Sequence, residues 1–302
     1  MSLSFSRVAE RVDGWGIPVP GHPDQIIYVW IDALINYVSG QGIGEGSGDL
    51  EFWDSSTDKI HVIGKNVWKF HAVYWPAFLL SAGLPLPEKL LVHGFLTVNG
   101  EKISKSGANA VDPFPLIAEY GADALRYYLL RSFSPFGDGD FNVDGLAATY
   151  NSDLANGLGN LVSRLLTLGE KSDLHTPIYD RHYQPPPAFA RALETFEFDS
   201  ALKALWEQIN GINREIDQEK PWLALKAGDP EAIHPSLRRW LGTLAEIAHW
   251  LCPFLPDASA EIQKRLSQPE IRAGTPIFPR LAGNASKRDS RRAPLTGLIC
   301  ST

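Results

Sequence analysis

Apolar positions along the chain change period once. Between residues 25 and 93 they come in short β-rich runs, 25–30, 59–63 and 89–93. The stretch 67–81 lies between the second and third runs, is long enough for a helix, and is closed by Gly83 and Pro85. That order predicts a β-α-β unit, with parallel strands, a right-handed crossover and ligands gathered at the carboxyl ends of the strands. From about Leu146 onward the pattern turns helical, with candidate helices at 148–168, 187–218, 221–226 and 236–251. Residues 179–187 contain a Tyr-Gln-Pro-Pro-Pro run that cannot continue a helix and reads as an extended connection. No internal repeat is visible.

Composition narrows the class. The chain has 302 residues, 44% hydrophobic and 21% charged, which suits a soluble globular protein of two domains. It has no apolar run long enough to span a bilayer, and its start lacks the basic and apolar segments of a signal peptide, so a cytoplasmic location is expected. Two cysteines, Cys252 and Cys300, make neither a disulfide framework nor a zinc site. A formal charge of −7 excludes a generally basic, nucleic-acid-coating surface; any RNA contact has to rely on local Lys/Arg clusters. One such cluster is the tail 284–302, where Lys287, Arg288, Arg291 and Arg292 lie among small polar residues without helical periodicity. It reads as disordered, and either holds RNA non-specifically or is an extension without a role.

Candidate chemistry concentrates in Lys102-Ile103-Ser104-Lys105-Ser106. Lysine ammonium groups on flexible stems can hold phosphates while charge builds during nucleotidyl transfer, and serine hydroxyls fit close to phosphate oxygens. Such a pentapeptide also occurs on ordinary surface loops, so its context decides. Asn99-Gly100-Glu101 reads as a tight turn before it, and Val111-Asp112-Pro113-Phe114 opens a helical stretch after it. Further upstream, Val67, His71 and Trp75 fall at i, i+4 and i+8, so they share a helix face and either floor a pocket or form an aromatic core. Asp32 lies in an apolar run, as a buried structural or ligand-orienting carboxylate or, more simply, as a surface residue. Asn160 and Arg164, at i and i+4, project from one helix face; their plain reading is a cap and a surface ion pair, and that of Trp222 is core.

Together with Tyr28-Val29-Trp30-Ile31-Asp32-Ala33, His61-Val62-Ile63-Gly64-Lys65, His71-Ala72-Val73-Tyr74-Trp75-Pro76-Ala77, Val92-His93-Gly94-Phe95, Ala122-Asp123-Ala124-Leu125-Arg126-Tyr127-Tyr128 and the run from Asn156 to Arg164, these motifs resemble the methionyl-tRNA synthetases, from about Ser4 to about Pro256. The family's H-I-G-H motif and its Cys-rich zinc knuckles do not occur here. The resemblance therefore implies the second half of the catalytic core plus a helical domain. It implies an α/β, partial Rossmann-like nucleotide-binding domain at 1–145, an α-helical bundle that binds the anticodon at 146–283, and the tail beyond.

The same resemblance assigns roles. It puts Lys102 and Lys105 in catalysis, and Gly64, Asn66, His93, Gly94, Ser104 and Ser106 around ATP, with Mg2+ accompanying the nucleotide and no zinc site in this chain. Trp30, Ala33, Leu34, Tyr37, Val67, His71 and Trp75 would line the methionine side chain, whose polarizable thioether packs well on aromatic edges. Asn160, Arg164 and Trp222 would read the anticodon of methionine tRNA by hydrogen bonds and base stacking. Two positions depart from the pattern. Asn66 stands where the family ordinarily has Asp, keeping an acceptor but losing the charge that meets the ATP ribose, and Ile103 replaces a Met. Three functions follow as expectations: a methionine–tRNA ligase that is impaired by the missing half or needs a partner polypeptide to supply it, a paralogue that activates an amino acid for small-molecule biosynthesis, and a non-catalytic tRNA-binding module.

Overall fold

The computed structural model describes residues 5–42, 53, 58–103, 110–175 and 183–281. The chain divides into two compact units, Met1–His93 and Gly94–Thr302.

Among the described residues, the N-terminal unit carries two small sheets. Strands β1 (Ser6–Val8), β2 (Pro18–Val19) and β3 (His22–Ile27) form an antiparallel sheet in the order β1-β3-β2. Helix α1 (Val29–Ser39) follows, and the next strand β4 (Ile60–Gly64) pairs in parallel with β5 (Lys89–His93), Val62 opposite Leu91. Between those two strands the chain runs through a widened π-helical segment, Phe70–Tyr74, into α2 (Trp75–Ala82), ended by Gly83 in the left-handed conformation. The expected β-α-β order with parallel strands is thus present. The widened turn has a local cause: Pro76 lacks an N–H and its ring would crowd the carbonyl of residue 72, so the ladder loosens and the Trp75 N–H reaches back to Phe70 instead.

The expected strand 25–30 is corrected at its end. Trp30 lies in the first turn of α1, because Leu34 and Val38, four residues apart, are buried together and draw the segment into a helix. Leu34, Val38, Trp53, Trp75 and Leu79 make the small core of this unit. Lys59, 6% exposed, ties the starts of the two parallel strands together: its backbone N–H and its Nζ meet the Glu88 carboxylate at 2.5 and 3.2 Å.

The C-terminal unit begins with a hairpin, β6 (Leu96–Val98) and β7 (Glu101–Lys102), turned by Asn99 and Gly100 at φ 56° and 75°, as the sequence pattern implied. Strand β8 (Gly139–Asp140) adds in parallel to β6. Helix α3 (Pro113–Tyr120) starts where expected, with the Asp112 carboxylate accepting from the Phe114 N–H at 3.0 Å. Helices α4 (Ala122–Arg131), α5 (Val143–Thr149), α6 (Asn160–Lys171), α7 (Pro187–Glu194), α8 (Phe198–Glu219), α9 (Trp222–Lys226), α10 (His234–Leu251) and α11 (Pro256–Leu266) share one core that runs from Leu116 to Phe278.

Two expected helices are interrupted. The stretch 148–168 passes through a π-helical segment, Tyr150–Gly159, before α6. The stretch 187–218 breaks at Phe196, whose φ of 61° no helix can hold, so α7 folds back on α8. In α8 the buried residues Leu202, Leu205, Trp206, Ile209, Ile212 and Ile216 recur at helical spacing, and α10 repeats the pattern from Leu237 to Leu251. Residues 176–182 of the proline-rich connection and the tail 284–302 lie outside the described residues. No described helix is long and apolar enough to cross a membrane.

Candidate functional site

Aromatic rings from α1, β4 and the α2 region converge in the N-terminal unit. Trp30 stacks on Phe70 with ring centroids 4.4 Å apart and planes 12° apart. Tyr37 stands 4.4 Å from His61, and 5.7 Å from both His71 and Trp75. His71 is buried. Its Nδ1 lies 3.1 Å from the Val67 carbonyl, which only accepts, so Nδ1 donates and Nε2 is left to accept the Tyr37 hydroxyl at 2.9 Å. The Trp75 indole donates to His61 Nε2 at 3.0 Å. Burial raises the Tyr37 pKa above the usual phenol value and lowers that of His61 below the usual imidazole value, the nearby His71 adding to the second effect.

Of the seven residues assigned to an amino-acid pocket, Trp30, Leu34, Tyr37, His71 and Trp75 come together, with Leu34 in the core beneath. Val67 joins through its carbonyl rather than through a shared helix face, because residue 67 precedes the widened turn. Ala33 faces outward in this chain. Phe70 and His61 were not singled out in the sequence; Phe70 could have been found as the neighbour of His71, whereas the His61–Trp75 bond joins strand to helix and leaves no local signal. Asp32 is exposed in the first turn of α1, where a carboxylate suits the helix N-terminus, and it lines a groove of about 710 Å3 with Arg7, Arg11 and Trp15.

At the carboxyl ends of the parallel strands, Gly64, Asn66 and His93 sit together. A β-carbon on Gly64 would meet Asn66 Oδ1 at 2.9 Å and the His93 ring at 3.8 Å, so glycine leaves the space between them open. The Lys65 N–H closes the site by donating to the His93 carbonyl at 2.9 Å.

In the C-terminal unit, Gly94 is required by packing: a β-carbon there would fall 1.9 Å from the Gly137 carbonyl oxygen. Lys102 lies on β7 with its Nζ 4.3 Å from the Phe95 ring centroid. Asp140, absent from the sequence assignments, braces the hairpin that carries Lys102. Its carboxylate accepts from the Gly100 N–H and the Thr97 hydroxyl, both at 2.8 Å, and these bonds hold its pKa below the ordinary carboxylate value. Ser104, Lys105 and Ser106 lie outside the described residues.

Asn160 is exposed on α6, and Arg164 one turn on donates to Asn213 Oδ1 at 3.2 Å and Asp217 Oδ1 at 2.6 Å, both on α8. Helix α8 ends at Lys220 in the left-handed conformation; Pro221 then starts α9 with Trp222, which is 38% exposed and therefore not a core residue. Among the described residues no cluster of three or more His, Cys, Asp or Glu could hold a metal ion.

The family model described as tRNA synthetases class I (M) matches residues 3–166. The chain belongs to this family. It is 38% identical over 277 residues to the methionine–tRNA ligase of Thermotoga maritima, covering 88% of this chain and 43% of that protein. It is 39% identical over 284 residues to the methionine–tRNA ligase of Rhizobium meliloti, covering 89% and 54%. A solved Mycobacterium tuberculosis methionyl-tRNA synthetase in complex with methionyl-adenylate superposes with a TM-score of 0.75 at 33% identity, over 92% of this chain and 60% of that one. The chain thus has the mixed α/β class I synthetase fold followed by helices, and spans about half the length of the curated relatives it matches.

Proposed function

We propose that this chain is the signature-loop half of a methionine–tRNA ligase, acting on methionine, ATP and methionine tRNA in the cytoplasm, and catalytic only with a polypeptide that supplies the remaining part of the fold. The observation that carries this reading is the aromatic cage of Trp30, Phe70, Tyr37, His71 and Trp75, which suits a thioether side chain. In the reaction, a methionine carboxylate oxygen bonds to the α-phosphorus of ATP, the bond to pyrophosphate breaks, and a hydroxyl of the terminal tRNA adenosine then takes the methionyl group from AMP.

Residues 1–145 form the partial catalytic domain in this reading, and 146–283 the anticodon-binding one. Gly64, Asn66, His93 and Gly94 contact the nucleoside of ATP. Lys102 and Lys105 neutralise the phosphates and the pyrophosphate as it leaves, and the Ser104 and Ser106 hydroxyls donate to phosphate oxygens, with Mg2+ accompanying the nucleotide as part of the substrate. Asn160, Arg164 and Trp222 read the anticodon. Support for a partner comes from β4 and β5, a parallel pair with Ile60 44% and Val62 62% exposed, whereas parallel sheets are ordinarily covered on both faces. The tRNA-binding-module reading is favoured by one observation, that the helical unit has a continuous core of its own.

Methionine-dependent ATP–pyrophosphate exchange tests the proposal. The chain alone should show none, and adding the missing half from a relative should restore it. Lys105→Ala should then slow adenylate formation far more than it weakens methionine binding. Robust exchange by the isolated chain, or none after complementation, would overturn the reading.

A further inference from the structure

Both polar edges of the aromatic cage end on imidazoles. His61, 8% exposed on β4, accepts the Trp75 indole N–H at Nε2. An indole nitrogen only donates, so Nε2 carries no proton and the neutral ring holds its proton on Nδ1. Tyr37 packs on this ring at 4.4 Å, Trp53 at 6.1 Å and His71 at 5.8 Å. His71 in turn receives the Tyr37 hydroxyl. Trp75 and Tyr37, two walls of the cage, are therefore aligned by one buried histidine that the binding scheme leaves unused.

We infer that His61 is the positioning residue of the amino-acid pocket, its neutral Nε2 fixing the Trp75 indole and, through the Tyr37 ring packed on it, the Tyr37–His71 wall. This rests on reading the cage as the amino-acid site. A proton on Nε2 would set donor against donor at Trp75 and release that wall. Among the described residues, the titratable groups facing His61 are Tyr37 from α1 and His71 from the segment before α2; Trp53 and Trp75 bring none. No described carboxylate is hydrogen-bonded to or ion-paired with either imidazole, so no described group there holds a second charge. Burial and the neighbouring His71 both resist protonation of His61, in the direction the geometry requires.

The test uses the full chain and follows the Trp75 indole N–H resonance, assigned by its loss in Trp75→Phe, from about pH 8 to about pH 5. In the wild type it should shift and broaden on acidification. His61→Gln, which keeps an acceptor but cannot ionise, should hold the resonance in its neutral-pH position throughout. His61→Leu should give the acid-like resonance at every pH. L-Methionine titrated calorimetrically should bind about tenfold or more weakly to His61→Leu, with affinity recovered and its acid dependence removed in His61→Gln. A Trp75 resonance indifferent to pH and identical in wild type and His61→Gln near pH 5 would overturn the inference, even if His61→Leu fails to fold. If the indole responds as expected and methionine binds neither the wild type nor any variant, His61 positions the cage and the amino-acid reading fails.

Discussion

The two units of the chain bury cores of very different size. In the C-terminal unit, helices from α3 to α11 close around one core, with Leu161, Leu165, Leu205, Ile209, Leu241 and Leu244 at zero exposure. Among the described residues, the N-terminal unit buries Leu34, Val38, Trp53, Trp75 and Leu79 as a cluster, and its parallel pair β4–β5 leaves Ile60 and Val62 open. Two parallel strands are too few to stand alone, so this unit's cohesion depends on aromatic stacking and on the Lys59–Glu88 tie. The contrast teaches how packing depends on contact range: local helical packing closes one continuous core, whereas the long-range parallel pair is two strands wide among the described residues.

Trp240→Ala should give the largest effect. Trp240 is 1% exposed and its indole donates to Glu215 at 2.8 Å, so truncation should destabilise the helical unit by about 3–5 kcal/mol. Denaturant unfolding with separate probes in each unit should show the N-terminal transition unmoved; a matching loss there would break the comparison.

Trp222→Ala should leave stability unchanged, because the ring is exposed, and weaken binding of methionine tRNA by about 1–3 kcal/mol. Anisotropy with cognate tRNA and a tRNA of altered anticodon checks it. An equal effect on both would remove Trp222 from anticodon reading.

Asp123 offers a smaller test within the helical unit. Its buried carboxylate accepts from the Ala258 N–H at 2.8 Å and the Asp257 N–H at 3.4 Å, capping α11, while burial raises its pKa. Asp123→Ala should cost about 0.5–2 kcal/mol, and Asp123→Asn less, since an amide oxygen still accepts without a buried charge. Thermal melts near neutral pH decide; an Asn variant as weak as Ala would mean the charge itself is needed.

The smallest effect expected is an acid dependence in the N-terminal unit. The folded pKa of His61 lies below its unfolded value, so between the two the unfolded chain binds more protons. Stability is therefore full above about pH 6.5 and falls as the pH drops toward the folded value. Glu88, held low chiefly by the Lys59 backbone N–H, adds a further loss once the pH enters the carboxylate range. Removing the first loss with His61→Gln, read by pH-dependent unfolding of this unit, checks the assignment; an unchanged profile would contradict it.

Much of this was legible in the sequence where the signal is local. Asn99-Gly100 announced its turn, Asp112-Pro113 its helix, and the α8 and α10 stripes their buried faces. Trp30 misled because its β-favouring neighbours outweighed a burial pattern set only by Leu34 and Val38 farther on. The π-helical segment before α2 escaped notice since its cause, at Pro76, is a missing hydrogen bond rather than a change of polarity. In the candidate site, Tyr37, His71 and Trp75 were visible as a group, but His61 and Asp140 were not. Their partners lie across strand and helix, at separations such as Trp75–His61 and Gly100–Asp140 that no periodicity encodes.

Native-state hydrogen exchange of the full chain, resolved to single amides, tests the contrast most directly. The expected result is that amides of β4 and β5 exchange through openings far less costly than those of α8 and α10. Equal protection in the parallel pair and the two helices would contradict it, and would mean that the two-stranded pair is as secure as the helical core.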